Sequence, residues 1–229
     1  MLEKLRTEVL EANLEVVRRG LVLYTFGNAS GVDREQGLVV IKPSGVPYDR
    51  MTPADMVITD LEGRIVEGKL KPSTDIDTHT ALYRAFPGIG GIVHTHSRHA
   101  TAWAQARREI PCFGTTHADY FHGPVPVTDA LTADEIGSDY EANTGVAIIR
   151  RLNGCDALSC PAILVAGHAP FCWGKTVTEA AHNAVIVEEL AALAWQTITI
   201  NPQAEPISQA LRDKHHFRKH GPTATYGQR

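Results

Sequence analysis

The sequence is short of cysteine, of net positive charge and of long apolar runs, and each shortage removes a class of protein. Its 229 residues include 4 cysteines, Cys112, Cys155, Cys160 and Cys172, with no CxxC spacing among them. A disulfide framework or cysteine metal knuckle is therefore not expected, and the four read as reduced, mostly packed thiols. Lys and Arg number 22 against 26 Asp and Glu, a formal net charge of −4. With no basic surplus to neutralise a phosphate backbone, no nucleic-acid partner is expected. The longest apolar candidate, residues 180–200, carries His182, Asn183, Glu188 and Glu189, so no membrane span is expected. The N-terminal MLEKLRTEVL has no apolar signal core, which makes a cytoplasmic location the expectation. No GxGxxG follows the first strand-like run and no Walker A sequence occurs, which disfavours a nicotinamide cofactor and a P-loop nucleotide.

What remains is an ordinary globular composition, 43% apolar and 21% charged. Without repeats, low complexity or a flexible linker, one domain over residues 1–229 is the economical reading. Apolar residues at helical spacing predict a helix over 2–19, stopped by Gly20. Strand-like runs follow at Leu21–Thr25 and Leu38–Ile41, separated by the turn-rich GNASGVDREQG. A hairpin is expected around Asp60–Gly63, a helix from Asp77 to Phe86, and a buried strand entered through GIGG and ending at His94. Further helices are expected after His96, within 132–152, over Thr178–Ile200 and over 204–219, with strands at Ala162–Ala166 and Phe171–Trp173. Connections too short for helical crossovers predict an α/β layered fold with a mixed, largely antiparallel sheet.

Histidine is the residue in surplus, 11 in all. His94-Thr95-His96 ends an apolar run, and residues two apart on a strand share a face, so both rings can reach one cation. Such a pair either begins a Zn²⁺-type site or merely marks a strand end. His168, after AILVAG, is the candidate third ligand, and Asp75 in KPSTD is the candidate carboxylate. His99 reads as a neighbour or surface group, and His79 and His182 as packed or solvated helix residues. Three loops, Gly27-Asn28-Ala29-Ser30, Lys42-Pro43-Ser44-Gly45 and Lys71-Pro72-Ser73-Thr74, combine small, hydroxyl and basic residues. They suit either an anion cradle or ordinary turns. Acid–base candidates crowd Thr115–Tyr120 and the C-terminal stretch 213–228.

Taken in order, EANLEVVRRGLV, FGNASGVDRE, GLVVIKPSGV, VEGKLKPSTD, PGIGGIVHTHSRHATAWAQA, GTTHADYF, GHAPFCWGK, AAHNAVIVEEL and DKHHFRKHGPTATYGQ resemble the class II aldolase/epimerase family over essentially the whole chain. The resemblance implies a three-layer α/β/α fold, assembled as a homotetramer with active sites at subunit interfaces. It implies a metal site of His94, His96 and His168, with Asp75 a fourth ligand or a neighbour, holding Zn²⁺ or another divalent ion such as Mn²⁺ or Co²⁺. Gly27, Asn28, Ser44, Gly45, Ser73 and Thr74 would hold the phosphate of a phosphorylated ketopentose, with Lys42 supplying charge. Asp119 and Tyr226 would transfer protons from an adjacent subunit, and Thr115, Glu141 and His215 would shape that interface.

The implied reaction interconverts L-ribulose 5-phosphate and D-xylulose 5-phosphate. Carbon 4 of a 2-ketopentose has no acidic proton, so inversion there requires the C3–C4 bond to break, glycolaldehyde phosphate to turn over and the bond to re-form. A metal that stabilises the developing charge, with a carboxylate and a phenol on opposite faces, would meet that need once their pKa values are brought toward neutrality. Arabinose breakdown and an ascorbate-type route would both use such a step. An L-fuculose-phosphate-type class II aldolase that releases its fragments is the nearest alternative. A non-catalytic, metal-stabilised interaction protein with a closed four-ligand site is the alternative of another class.

Overall fold

In the computed structural model, residues 1–220 and 224–225 are described. Helix α1 (Glu3–Arg18) leads to strand β1 (Asn28–Asp33), β2 (Leu38–Ile41), β3 (Val57–Asp60) and β4 (Ile65–Glu67). Helix α2 (Ile76–Ala85), β5 (Gly91–His94), α3 (Arg98–Gln105), α4 (Thr115–Ala118), α5 (Ala133–Gly137) and α6 (Tyr140–Arg151) follow. The chain continues through β6 (Ala162–Leu164), β7 (Pro170–Gly174), α7 (Val177–Ile200) and α8 (Gln209–Lys219). The seven strands form one sheet in the order β4-β3-β2-β1-β5-β7-β6. All six pairings are antiparallel, and the parallel component is a single bridge between Val127 and Leu164.

Strand alternation divides the apolar residues into two cores, one on each face of the sheet. On one face Val40, Ile58, Val93 and Cys172 meet Val9 and Val16 of α1, Trp103 of α3 and Val187 and Leu190 of α7. On the other, Val39, Ile41, Ile92, Phe171 and Trp173 meet Leu82 and Tyr83 of α2 and Ile148 of α6. The α/β/α layering expected from the sequence is thereby present. Among the described residues no helix is long and apolar enough to cross a membrane. The four cysteines are unpaired, with Cys112 and Cys172 buried.

One strand lies elsewhere than expected. Leu21–Thr25 is not a strand; it is a turn region whose Leu23, Tyr24 and Phe26 stand 66%, 89% and 56% exposed. The strand is Asn28–Asp33, within the stretch that reads as turn-rich. Gly31 explains why: a Cβ there would lie 2.5 Å from Val177 Cγ2 and 2.8 Å from Leu5 Cδ1. A central strand crossed this closely by two helices needs small residues and so loses its apolar signature. Strand β6 also stops two residues short of the expected Ala166, which leaves His168 in the β6–β7 turn.

Candidate metal centre and phosphate cleft

The three histidines converge. His94 closes β5 and His96 follows two residues on, so their rings share a face with centroids 4.9 Å apart. His168 arrives from the β6–β7 turn, where Gly167 adopts φ +75° and Ala166 N–H donates to Thr128 Oγ1 at 3.0 Å. Its ring centroid lies 4.9 Å from those of both His94 and His96. One potential ligand atom from each falls within 4.8 Å of the others. His94 Nδ1 lies 3.0 Å from the Pro170 carbonyl and donates to it, which leaves Nε2 with its lone pair toward the cluster. His168 Nε2 and His96 Nε2 face each other at 3.2 Å. Burial, then the neighbouring imidazoles, push His168 down to about 4, and His96 is lowered for the same reasons. Three imidazoles brought together in this way offer the nitrogen donor set that a divalent cation such as Zn²⁺ takes.

Asp75 lines the same cleft but lies outside that trio; its Oδ2 accepts from Asn28 Nδ2 at 2.6 Å. Burial would raise its pKa, yet His94, His79 and the Asn28 amide more than offset this and hold it below the usual carboxylate range. Asn28 also donates to Ser73 Oγ at 3.0 Å, and its buried Oδ1 has no partner among the described residues. An orphaned buried carbonyl on a residue that lines a polar cleft calls for a partner, and a bound group would supply one.

The three small-residue loops meet beside this centre. Ser44 N–H donates to the Lys71 carbonyl at 2.9 Å, and Ser73 N–H donates to the Lys42 carbonyl at 2.9 Å. The KPSG and KPST segments thus run antiparallel, bridged at Pro43 and Pro72. Their lysines have opposite fates: Lys71 is exposed, while Lys42 is 2% exposed. Lys42 Nζ donates to the Pro43 carbonyl at 3.1 Å and sits 4.8 Å above the centre of the Tyr48 ring. Burial lowers it to about 8. Tyr48 in turn donates to the Gly27 carbonyl at 2.8 Å, tying the first loop to the second. Gly27 has φ +104°, and a Cβ there would meet His94 O at 2.9 Å, so only glycine brings this backbone against the metal-site strand.

A cleft of about 360 Å³ therefore gathers Gly27, Asn28, Lys42, Ser44, Gly45, Ser73, Thr74, Asp75, His94, His96, Glu141 and His168, every one a sequence candidate. It also gathers Thr25, Phe26 and Tyr140, which sequence reasoning missed. Adjacency to Glu141 was the only signal for Tyr140. The remaining candidates group elsewhere. Asp119 is 9% exposed and accepts from Arg218 Nη2 at 2.9 Å, with His215 Nδ1 at 3.2 Å and Lys219 Nζ at 3.4 Å. Thr115 O accepts from Asp119 N–H, which places all three residues in one cluster outside the cleft. Burial raises the Asp119 pKa, but Arg218, His215 and Lys219 outweigh it and leave the carboxyl below its usual range rather than near neutrality. Tyr226 lies outside the described residues. His99 is no ligand: it is paired with Glu188 at 2.8 Å. His79 of α2 is fully buried, 2.7 Å from Ser30 Oγ, and His182 is exposed beside Tyr120.

Residues 7–195 match the Class II Aldolase and Adducin N-terminal domain. The chain belongs to that family. It is 53% identical, over the full length of both chains, to L-ribulose-5-phosphate 4-epimerase UlaF of Salmonella paratyphi B. Among solved structures it resembles an L-fuculose 1-phosphate aldolase, with a TM-score of 0.80, 23% identity and coverage of 94% and 95% of the two chains. It also resembles YgbL of Klebsiella pneumoniae, a putative aldolase/epimerase/decarboxylase, with a TM-score of 0.73, 24% identity and coverage of 94% and 100%. These structural likenesses establish the fold.

Proposed function

We propose that this chain, acting as one class II aldolase domain, interconverts L-ribulose 5-phosphate and D-xylulose 5-phosphate. The observation that carries the reading is one cleft that joins a three-histidine cluster to a buried lysine and two paired hydroxyl loops. The full-length 53% identity to an epimerase supports the substrate. Held by His94, His96 and His168, a divalent cation, Zn²⁺ in our reading, would supply the electrophile that takes up negative charge when C3–C4 breaks. Lys42, Asn28, Ser44, Ser73, Thr74 and the backbone of Gly27 and Gly45 would grip the phosphate. That grip keeps glycolaldehyde phosphate in place while its carbonyl turns over. A site that lost the fragment would be an aldolase.

Asp119 and Tyr226 are assigned the proton transfers, reached from a neighbouring copy in a homotetramer. Arg218, His215 and Lys219 hold Asp119 ionised, the form that accepts a proton, while keeping its basicity below the usual carboxylate range within one chain. Exposed Leu23, Tyr24 and Phe26 beside the cleft, and Leu193, Trp195 and Ile200 on α7, support burial against other copies. The deciding experiment incubates zinc-loaded protein with L-ribulose 5-phosphate and follows D-xylulose 5-phosphate and free dihydroxyacetone together. Epimer with only a trace of free fragment, abolished by chelator and restored by Zn²⁺, is expected. Free fragments without epimer would make the chain an aldolase, and neither product would remove the assigned substrate.

A further inference from the structure

We propose that Tyr140, the first residue of α6, is a positioning residue that fixes the tautomer of His168 and so aims its Nε2 into the histidine cluster. The inference rests on the reading of His94, His96 and His168 as a cation site. The three ligands are not held alike. His94 is built into β5, with its Nδ1 bonded to the Pro170 carbonyl at 3.0 Å. His168 stands in a turn, half-buried, so the backbone alone constrains its ring less. Its two nitrogens have different partners: Nε2 faces His96 Nε2 at 3.2 Å, and Nδ1 faces the Tyr140 hydroxyl at 3.3 Å. The two rings lie 6.0 Å apart, tilted by 44°.

A neutral imidazole has one N–H. If Nε2 gives its lone pair to a cation, the proton must sit on Nδ1, and a half-buried N–H needs an acceptor. The Tyr140 oxygen is that acceptor, at the long end of hydrogen-bond reach. It does for His168 what the Pro170 carbonyl does for His94. Helix α6 is a firm base for this contact, since Asp139 caps its N-terminus by accepting from Ala142 N–H and its buried Ile148 anchors it in the core. A rigid element thereby orients a ligand delivered by a turn.

The test is Tyr140→Phe, which keeps the ring and removes the acceptor. Zinc affinity, read by competition with a chromogenic chelator, is expected to fall by about 10-fold or more, as is usual when a ligating histidine loses its partner. The visible spectrum of the Co²⁺-loaded variant is expected to differ from wild type, which loss of packing elsewhere would not produce. An unchanged affinity and an unchanged cobalt spectrum would overturn the proposal. Should the variant not fold, the histidine ¹⁵N spectrum of zinc-loaded wild type decides: zinc on Nε2 with a proton on Nδ1 of His168 supports it, and zinc on Nδ1 overturns it. Neither measurement uses a sugar. Tyr140-dependent zinc binding without epimerisation would therefore remove only the reaction assigned above, and intact epimerisation with Tyr140-independent binding would remove only this inference.

Discussion

Lys42 shows how burial gives a single residue a testable pH signature. Its ammonium is buried where the side chain lines the cleft, and desolvation lowers it to about 8. If Lys42 holds the substrate phosphate as proposed, the free enzyme would bind it best with this lysine protonated, so kcat/KM is expected to fall as pH rises through about 8. A charge-assisted hydrogen bond is worth about 1.5–3 kcal/mol, so Lys42→Met should lower kcat/KM by roughly 10- to 100-fold and flatten that limb. The stability sign is opposite. A folded pKa below the unfolded value of roughly 10.4 means the unfolded chain binds more protons between the two. This group therefore makes folding more favourable as pH climbs through that window, a slope that Lys42→Met should lose in paired urea titrations. His96→Ala removes one of three converging ligand atoms and should lower zinc affinity by more than about 100-fold, as measured by metal content after dialysis against a weak chelator.

At the scale of elements, two joints decide whether the site is held in place. Strand β5 can enter only because Gly90 and Gly91 lie under the start of α7: a Cβ on Gly91 would stand 2.4 Å from Val177 Cα, and one on Gly90 2.1 Å from the Lys175 carbonyl. These are backbone contacts with no flexible end to give way, so Gly91→Ala is expected to destabilise by about 3 kcal/mol, the upper end of the overpacking range. A chemical melt would show it. The other joint is Glu188 of α7, which caps α3 from outside by accepting from His99 N–H and Ala100 N–H, both at 2.9 Å. Ser97, at the helix's own N-cap position, makes no side-chain cap bond. Burial raises the Glu188 pKa, but the Ala100 and His99 amides, then the Ser97 hydroxyl and the His99 ring, pull it below the usual range. Its contribution is therefore present above the unfolded carboxylate pKa and is lost as pH falls through the lower folded value. Glu188→Ala should cost about 2–3 kcal/mol at neutral pH, and a smaller difference from wild type in acid would check the assignment.

For the whole molecule the open arrangement is how the Asp119 cluster meets the cleft. Within one chain the two are separate groups of residues, Thr115, Asp119 and His215 on one side and the histidine trio with its paired KPS loops on the other. If Asp119 serves a neighbouring copy's cleft, then Asp119→Asn and His96→Ala variants, each inactive alone, should regain partial activity when unfolded together and reassembled. An intrachain arrangement predicts no recovery, because no mixed site would be complete. Activity recovered in proportion to mixing would establish the shared site without reference to any symmetry.

Periodicity in the sequence is local physics, and it determined much of this protein. Helical spacing located α1, α2 and α7, short apolar runs located β2, β3 and β5, and the two-residue step of His94-Thr95-His96 put both rings on one face wherever the strand lay. The family's motif order also named in advance the cleft's residues other than Thr25, Phe26 and Tyr140. Three things came only from tertiary structure. Strand β1 is hidden in a stretch that reads as turn, because close helix crossing at Gly31 selects small residues over apolar ones. Lys42 is buried and Lys71 exposed, although both open a KPS loop, because only Lys42 lies at the inner end of a central strand beneath Tyr48. Tyr140 reaches His168 because α6 packs its N-terminus against a turn 28 residues away in the chain. Local pattern fixes which way a side chain points along its own element; what it points at depends on strand order and packing across long separations, which no neighbouring residue encodes.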